Sequence, residues 1–151
     1  MRVCGVCSAL IVFTRSVGQK NIIETGTSVD AEVSSALLLT IFSHDTELHD
    51  GAAVVENGRL VSAGCFLPLS EQMDVRRSFG TRHRAALGLA EESDAIVLVV
   101  SEETGSMSLA YDANLYYDLS SDEIRDRLSD LLNVGSRAGS ETQEEVADLA
   151  D

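Results

Sequence analysis

Ala95-Ile96-Val97-Leu98-Val99-Val100 is an unbroken run of apolar, mostly β-branched residues. A strand wetted on one face alternates apolar and polar positions, so a run without alternation predicts a strand covered on both faces, as in an α/β sheet. Ser101-Glu102-Glu103-Thr104-Gly105 follows at its C-terminal end, where open α/β sheets collect ligands, although Glu102 and Glu103 also suit a solvated turn. Ala9-Leu10-Ile11-Val12-Phe13 has the same character and belongs beside it in the sheet centre.

Upstream of the first run, Gly80-Thr81-Arg82-His83-Arg84 opens a helix expected to reach Glu92, with Thr81 as its N-cap. Its first-turn N–H groups and positive dipole end form an anion site, and the Arg82 guanidinium adds a charged fork. Arg82 and Arg84 lie two positions apart, about 200° around a helix, so they do not grip one phosphate together. Arg82 is assigned to the ligand and Arg84 to a supporting or cross-subunit role. Considered alone, the segment also fits a solvated basic turn.

Between these lies a hairpin, Ala52 to Glu56 and Arg59 to Phe66, turned by Asn57-Gly58, the pair that supplies both positive φ values of a type I′ turn. Gly64 and Pro68 end the second strand and leave Leu67 irregular, with a backbone donor and acceptor open to a ligand such as an adenine edge. Ser70 to Phe79 reads as a loop with one helical turn. Leu48-His49-Asp50-Gly51-Ala52-Ala53 leads into the hairpin. The imidazole and carboxylate of His49-Asp50 can hold a metal or position a hydroxyl, and Gly51 allows close approach to the backbone. Such a pair in a loop is more commonly a solvated turn; its weight comes from the anion site thirty residues on.

The N-terminal part reads as a short strand, Ile22-Ile23-Glu24, closed by Gly26-Thr27-Ser28, with Ser28 capping a helix whose apolar positions are Val33, Ala36, Leu37, Thr40 and Ile41. His44 reads as an exposed loop histidine. Met107 to Tyr111 and Leu115 to Tyr117 form a closing hairpin around Asp112-Ala113-Asn114. Ser120-Ser121-Asp122-Glu123 is a capping box before a helix with apolar Ile124, Leu128, Leu131 and Leu132. Residues 1–133 are expected as one domain and 134–151 as an acidic, disordered tail.

Composition narrows the classes. A chain of 151 residues, 44% apolar, is about one domain with a core of its own. Its net charge of −14, from 25 acids against 11 bases with Lys20 the only lysine, repels nucleic acid and anionic membranes and suits a high-salt environment. Three cysteines, an odd number, argue against a disulfide framework and for a reducing cytoplasm. Cys4-Gly5-Val6-Cys7 has thiol-redox or zinc spacing without a second pair, so it reads as small apolar residues entering a strand. Val3 to Phe13 is too short to span a bilayer, and no transmembrane segment is expected.

Assembled, these residues resemble the diadenylate cyclases, which join two ATP molecules into cyclic di-AMP. The likeness covers roughly Ala9 to Leu132 and rests on Asp50-Gly51-Ala52 and on Arg82-His83-Arg84 preceded by Gly80-Thr81. Gly64-Cys65-Phe66-Leu67-Pro68-Leu69-Ser70 and Ser101-Glu102-Glu103-Thr104-Gly105 look like that family in the same order. The resemblance implies an α/β single domain, a mixed central β-sheet flanked by helices. It implies Asp50 at the reacting 3′-hydroxyl, His49 and Asp50 on Mn²⁺ or Mg²⁺, and Thr81 and Arg82 on the triphosphate, with Ser101, Glu102 and Glu103 on the phosphate and metal side. The Leu67 backbone reads adenine, and Gly51 and Ala52 bring backbone to the nucleotide. His83 belongs to the motif as a ligand contact or as a neutral histidine buried against the sheet. The active unit implied is a face-to-face homodimer in which each chain holds one ATP.

Membrane-anchored members carry helices ahead of this domain, and the DNA-scanning type carries helical and DNA-binding parts after it. Neither pattern is visible, so the chain reads as a stand-alone cyclase or the catalytic domain of something longer. The competing readings are a catalytically silent sensor of ATP or cyclic dinucleotide, and a thiol or zinc module built on Cys4 and Cys7.

Overall fold

The computed structural model describes residues 8–43, 46–71, 80–101 and 105–133. Cys4, Cys7, His44, Glu102, Glu103, most of the 70–79 loop and the tail from 134 lie outside the described residues.

The two apolar runs form β1 (Ala9–Phe13) and β5 (Ile96–Val100), antiparallel neighbours in a seven-stranded sheet. Around them stand β2 (Thr27–Glu32), β3 (Ala52–Glu56), β4 (Arg59–Cys65), β6 (Met107–Tyr111) and β7 (Asn114–Leu119), in the order β2-β4-β3-β1-β5-β6-β7. Only β1 and β3 run parallel, so the sheet is mixed as expected, with β1 in the middle.

Alternation along the central strands divides the core into two layers. Ile11, Phe13, Ala53, Val55, Ile96 and Leu98 face α2 (Ser35–Ile41) and α4 (Ser121–Asn133), where Leu38, Ile41, Ile124 and Leu128 meet them. Leu10, Val12, Ala52, Val54, Val97 and Val99 face α3 (Thr81–Glu92), through Ala85, Ala86, Leu89 and Ala90. Phe13, Leu38 and Leu98 are at most 1% exposed, and each such side chain contributes about 1.5–3 kcal/mol. The capping box forms as read: Ser120 N–H donates to Glu123 Oε1 at 3.0 Å and Glu123 N–H to Ser120 Oγ at 3.1 Å.

The N-terminal part departs from expectation. Ile22-Ile23-Glu24 is not a strand; Lys20–Ile23 form a single helical turn, α1, with Ile22 and Ile23 packed beneath the α3-side core. Two adjacent isoleucines fit either state, and tertiary packing decides. Ser28 caps no helix, because it lies inside β2; Ser34 is the cap, its Oγ accepting from Leu37 N–H at 3.1 Å. The edge strand β2 is polar and bulged, its register slipping between Ser28 and Ala31, where Asp30 takes a φ of 50° and meets Arg59 at 3.2 Å. No helix among the described residues is long and apolar enough to cross a membrane.

Candidate functional site

The sheet register gathers distant segments at one end. Ala9 lies opposite Val100, Ala52 opposite Cys65, and Val100 opposite Met107. The residues entering β3 (His49, Asp50, Gly51) and those leaving β4 (Phe66, Leu67) and β5 (Ser101) therefore share that end. The helix α3 runs back along the sheet, its C-terminal Ala90 carbonyl accepting from Ala113 N–H at 3.2 Å at the opposite end. Its first turn, Thr81 to Arg84, consequently stands over the same end as Asp50.

Gly80, not Thr81, is the N-cap of α3, and it supplies no side-chain cap; Thr81 is the exposed first residue of the helix. The expected cap fails because the chain is still extended at Gly80, with a ψ of −173°. The anion-site logic survives, since no cap side chain occupies the first-turn amides. Arg82 is half-buried, and no described residue takes a hydrogen bond or ion pair from it. Arg84 Nη2 donates to the Ser70 carbonyl at 3.0 Å. His83 is buried at 9% exposure, and burial pushes its pKa below the ordinary 6.5, leaving a neutral imidazole.

A short 3₁₀ turn, Glu47–His49, delivers the acidic loop. The Thr46 carbonyl can only accept, so the His49 ring nitrogen bonded to it, Nδ1, carries a hydrogen. Asp50 follows, exposed and extended. Gly51 has a φ of 111°, and a Cβ on it would come within 2.8 Å of the Cys65 carbonyl oxygen and the Gly64 backbone. The close approach that requires glycine here is thus to the chain's own β4, whether or not a ligand also comes near.

Beyond β4 the chain leaves the ladder. Phe66 N–H donates to Thr25 Oγ1 at 2.9 Å, and Ser70 N–H donates to the Arg84 carbonyl at 3.0 Å. Between these anchors, neither the N–H nor the C=O of Leu67 bonds to a described residue, while its side chain packs on the α3-side core. Ser101 is half-buried, and its backbone closes a turn through Ser106 and Gly105, both at 2.9 Å. Ser70 and Glu91, joined through the serine hydroxyl at 2.9 Å, are site-supporting residues that sequence reading passed over. Gly88, an isolated glycine inside a helix, was the signal available for them.

Among the described residues no group of three or more His, Cys, Asp and Glu side chains converges. His49 and Asp50 can therefore share a divalent ion only if other oxygens complete its shell. The thiol of Cys65 is buried and in no disulfide, and burial raises its pKa, which disfavours the thiolate. The arrangement can hold a phosphorylated group at the α3 N-terminus, set a carboxylate beside it, and offer one amide and one carbonyl to a planar edge.

Residues 5–115 match the family described as DAC, DisA bacterial checkpoint controller nucleotide-binding. The chain is 42% identical over 120 residues to the cyclic di-AMP synthase CdaA of Bacillus subtilis, covering 80% of this chain and 44% of that protein. It is 49% identical over 108 residues to the diadenylate cyclase CdaS of Bacillus thuringiensis, covering 72% of this chain and 54% of that one. The chain thus spans about half the length of these relatives. The crystal structure of DacA from Staphylococcus aureus, an N166C/T172C double mutant, superposes with a TM-score of 0.82 at 39% identity, covering 84% of this chain and 85% of that one. Fold, motifs and matched length agree, and the chain belongs to the diadenylate cyclase (DAC) family.

Proposed function

We propose that this chain is a diadenylate cyclase that condenses two ATP into cyclic di-AMP and two pyrophosphates. The observation that carries the proposal is the meeting of Asp50, the Arg82 end of α3 and the unpaired Leu67 backbone at one end of the sheet. These match the three parts of ATP in kind: a hydroxyl, a phosphate chain and a base edge.

In each half-reaction a ribose 3′-oxygen forms a bond to the α-phosphorus of the facing ATP, the bond to pyrophosphate breaks, and the hydroxyl proton is released. Asp50 accepts the hydrogen bond of the 3′-hydroxyl and orients it. Thr81, Arg82 and the first-turn amides of α3 hold the phosphates and balance charge growing on the leaving group. Leu67 N–H and C=O pair with the adenine edge, and Gly51 lies beside the ribose. Ser101 lines the phosphate side.

Mn²⁺ or Mg²⁺ would enter with the nucleotide; His49 and Asp50 are the residues that would hold it, and phosphate oxygens would have to complete its shell. When bound, it supplies Lewis-acid stabilisation of phosphate charge. Because each chain holds one ATP, the active unit is a homodimer with the two sites face to face. We place the reaction in the cytoplasm, where ATP is supplied, and the net charge of −14 disfavours nucleic acid as a partner.

The test is to incubate the purified chain with ATP and either metal over a range of protein concentrations and to separate the nucleotides. Cyclic di-AMP whose rate per chain rises with concentration supports the cyclase and its dimer. Saturable ATP binding without pyrophosphate release at any concentration would replace it with the silent sensor.

A further inference from the structure

We propose that Ser70, Arg84 and Glu91 act as positioning residues that set base selectivity, by clamping the Leu67 segment onto α3. The inference rests on the reading of Leu67 as the contact to adenine. Arg84, Gly88 and Glu91 recur at spacings of four and three, so they line one face of α3. That face is turned toward the chain leaving β4. Ser70 is 1% exposed, and its main chain is paired in both directions with Arg84: its N–H donates to the Arg84 carbonyl, and its C=O accepts from Arg84 Nη2, both at 3.0 Å. Its hydroxyl donates to Glu91 Oε2 at 2.9 Å. Between these contacts Pro68 lies so close to the helix that a Cβ on Gly88 would fall 2.0 Å from the Pro68 carbonyl oxygen.

The consequence concerns Leu67. An amide and a carbonyl select a base edge only if their positions are fixed to a few tenths of an ångström, and a free loop offers no such precision. Phe66 is fixed upstream by Thr25, and Ser70 downstream by α3, leaving Leu67 as a short bridge between two anchors. Arg84 thus acts on the base through the chain rather than on phosphate directly, unlike Arg82, two positions away on the helix.

Binding separates these roles. Calorimetry with 3′-deoxyATP and 3′-deoxyGTP, which lack the attacking hydroxyl, and with inorganic tripolyphosphate would be run on the wild-type chain and on Arg84→Met, Arg84→Lys and Ser70→Ala. Arg84→Met should weaken 3′-deoxyATP about tenfold, the scale for a lost charged hydrogen bond, and shrink its advantage over 3′-deoxyGTP, while tripolyphosphate stays within about twofold. Arg84→Lys should recover part of the selectivity. Ser70→Ala keeps the backbone pairing and removes the hydroxyl that reaches Glu91, so it should shift selectivity less without threatening folding. Tripolyphosphate binding that falls in step with 3′-deoxyATP would make Arg84 a phosphate ligand and overturn the clamp, as would wild-type selectivity in Arg84→Met and Ser70→Ala. A wild-type chain that does not distinguish the two bases also overturns it. A wild-type chain that distinguishes them yet forms no cyclic di-AMP sinks the cyclase while the clamp stands.

Discussion

The two ends of the sheet are closed by different kinds of chain. At the far end two of the connections are local: Asn57-Gly58 and Asp112-Ala113 turn their hairpins in two residues each, with φ values of 52°, 77°, 52° and 62°. The Asp94 carboxylate tidies the same end by accepting from Ser16 and Val17 N–H at 2.9 and 3.3 Å. The near end is assembled from residues far apart in sequence: Gly51 pressed against Gly64 and Cys65, Pro68 against Gly88, Phe66 tied to Thr25. It also carries exposed Asp50 and half-buried Arg82. The far end stores stability in turns, whereas the near end holds chemistry in place, and substitutions should separate the two.

The widest separation is expected from Asp50→Asn and Arg82→Ala. Each should lower cyclic di-AMP synthesis at least about a hundredfold, the scale for losing one charge-stabilising or orienting group. Urea midpoints should stay close to wild type, because Asp50 is exposed and Arg82 makes no hydrogen bond or ion pair to a described residue. Wild-type turnover in either variant would remove that residue from the chemistry. Gly51→Ala should blur the comparison, costing about 2–4 kcal/mol of stability through the positive φ and the contact with β4, and costing activity as well. An active Gly51→Ala of normal stability would mean that β4 yields there without cost. Ala113→Gly should act on stability alone. It relieves a non-glycine residue in the left-handed region and should raise the unfolding free energy by at most about 1 kcal/mol, with turnover unchanged. A change in turnover from that turn would show that the ends are coupled.

The same division governs what the sequence revealed. The central strands and the Asn57-Gly58 turn were legible because their signals are local: an apolar run, or a residue pair with one suitable turn. The capping box at Ser120 and Glu123 was legible for the same reason. β2 was not, since Thr27-Ser28-Val29-Asp30-Ala31-Glu32 is an edge strand with no alternation to read and a bulge at Asp30. Ile22-Ile23 was too short to distinguish a strand from the helical turn that packing selects. At the site, the motifs located Asp50 and Arg82, but Ser70 with Glu91 is a pairing across 21 residues that no periodicity encodes. The role of Gly51 was read as room for a ligand, whereas its neighbours are β4 backbone.

His83 offers the finest test, because it lies at the near end yet should report on stability. Burial lowers its pKa below 6.5, so as pH falls through 6.5 the unfolded chain takes up a proton that the folded chain still refuses. In the window between 6.5 and the lower folded value, the unfolded state binds more protons, and stability must decline as pH drops through it. Above that window the imidazole is neutral in both states and contributes no slope. Urea midpoints measured at pH 7.5 and 5.5 should therefore fall further for wild type than for His83→Gln. Equal falls in wild type and His83→Gln would show that burial of His83 within α3 carries no cost to its protonated form.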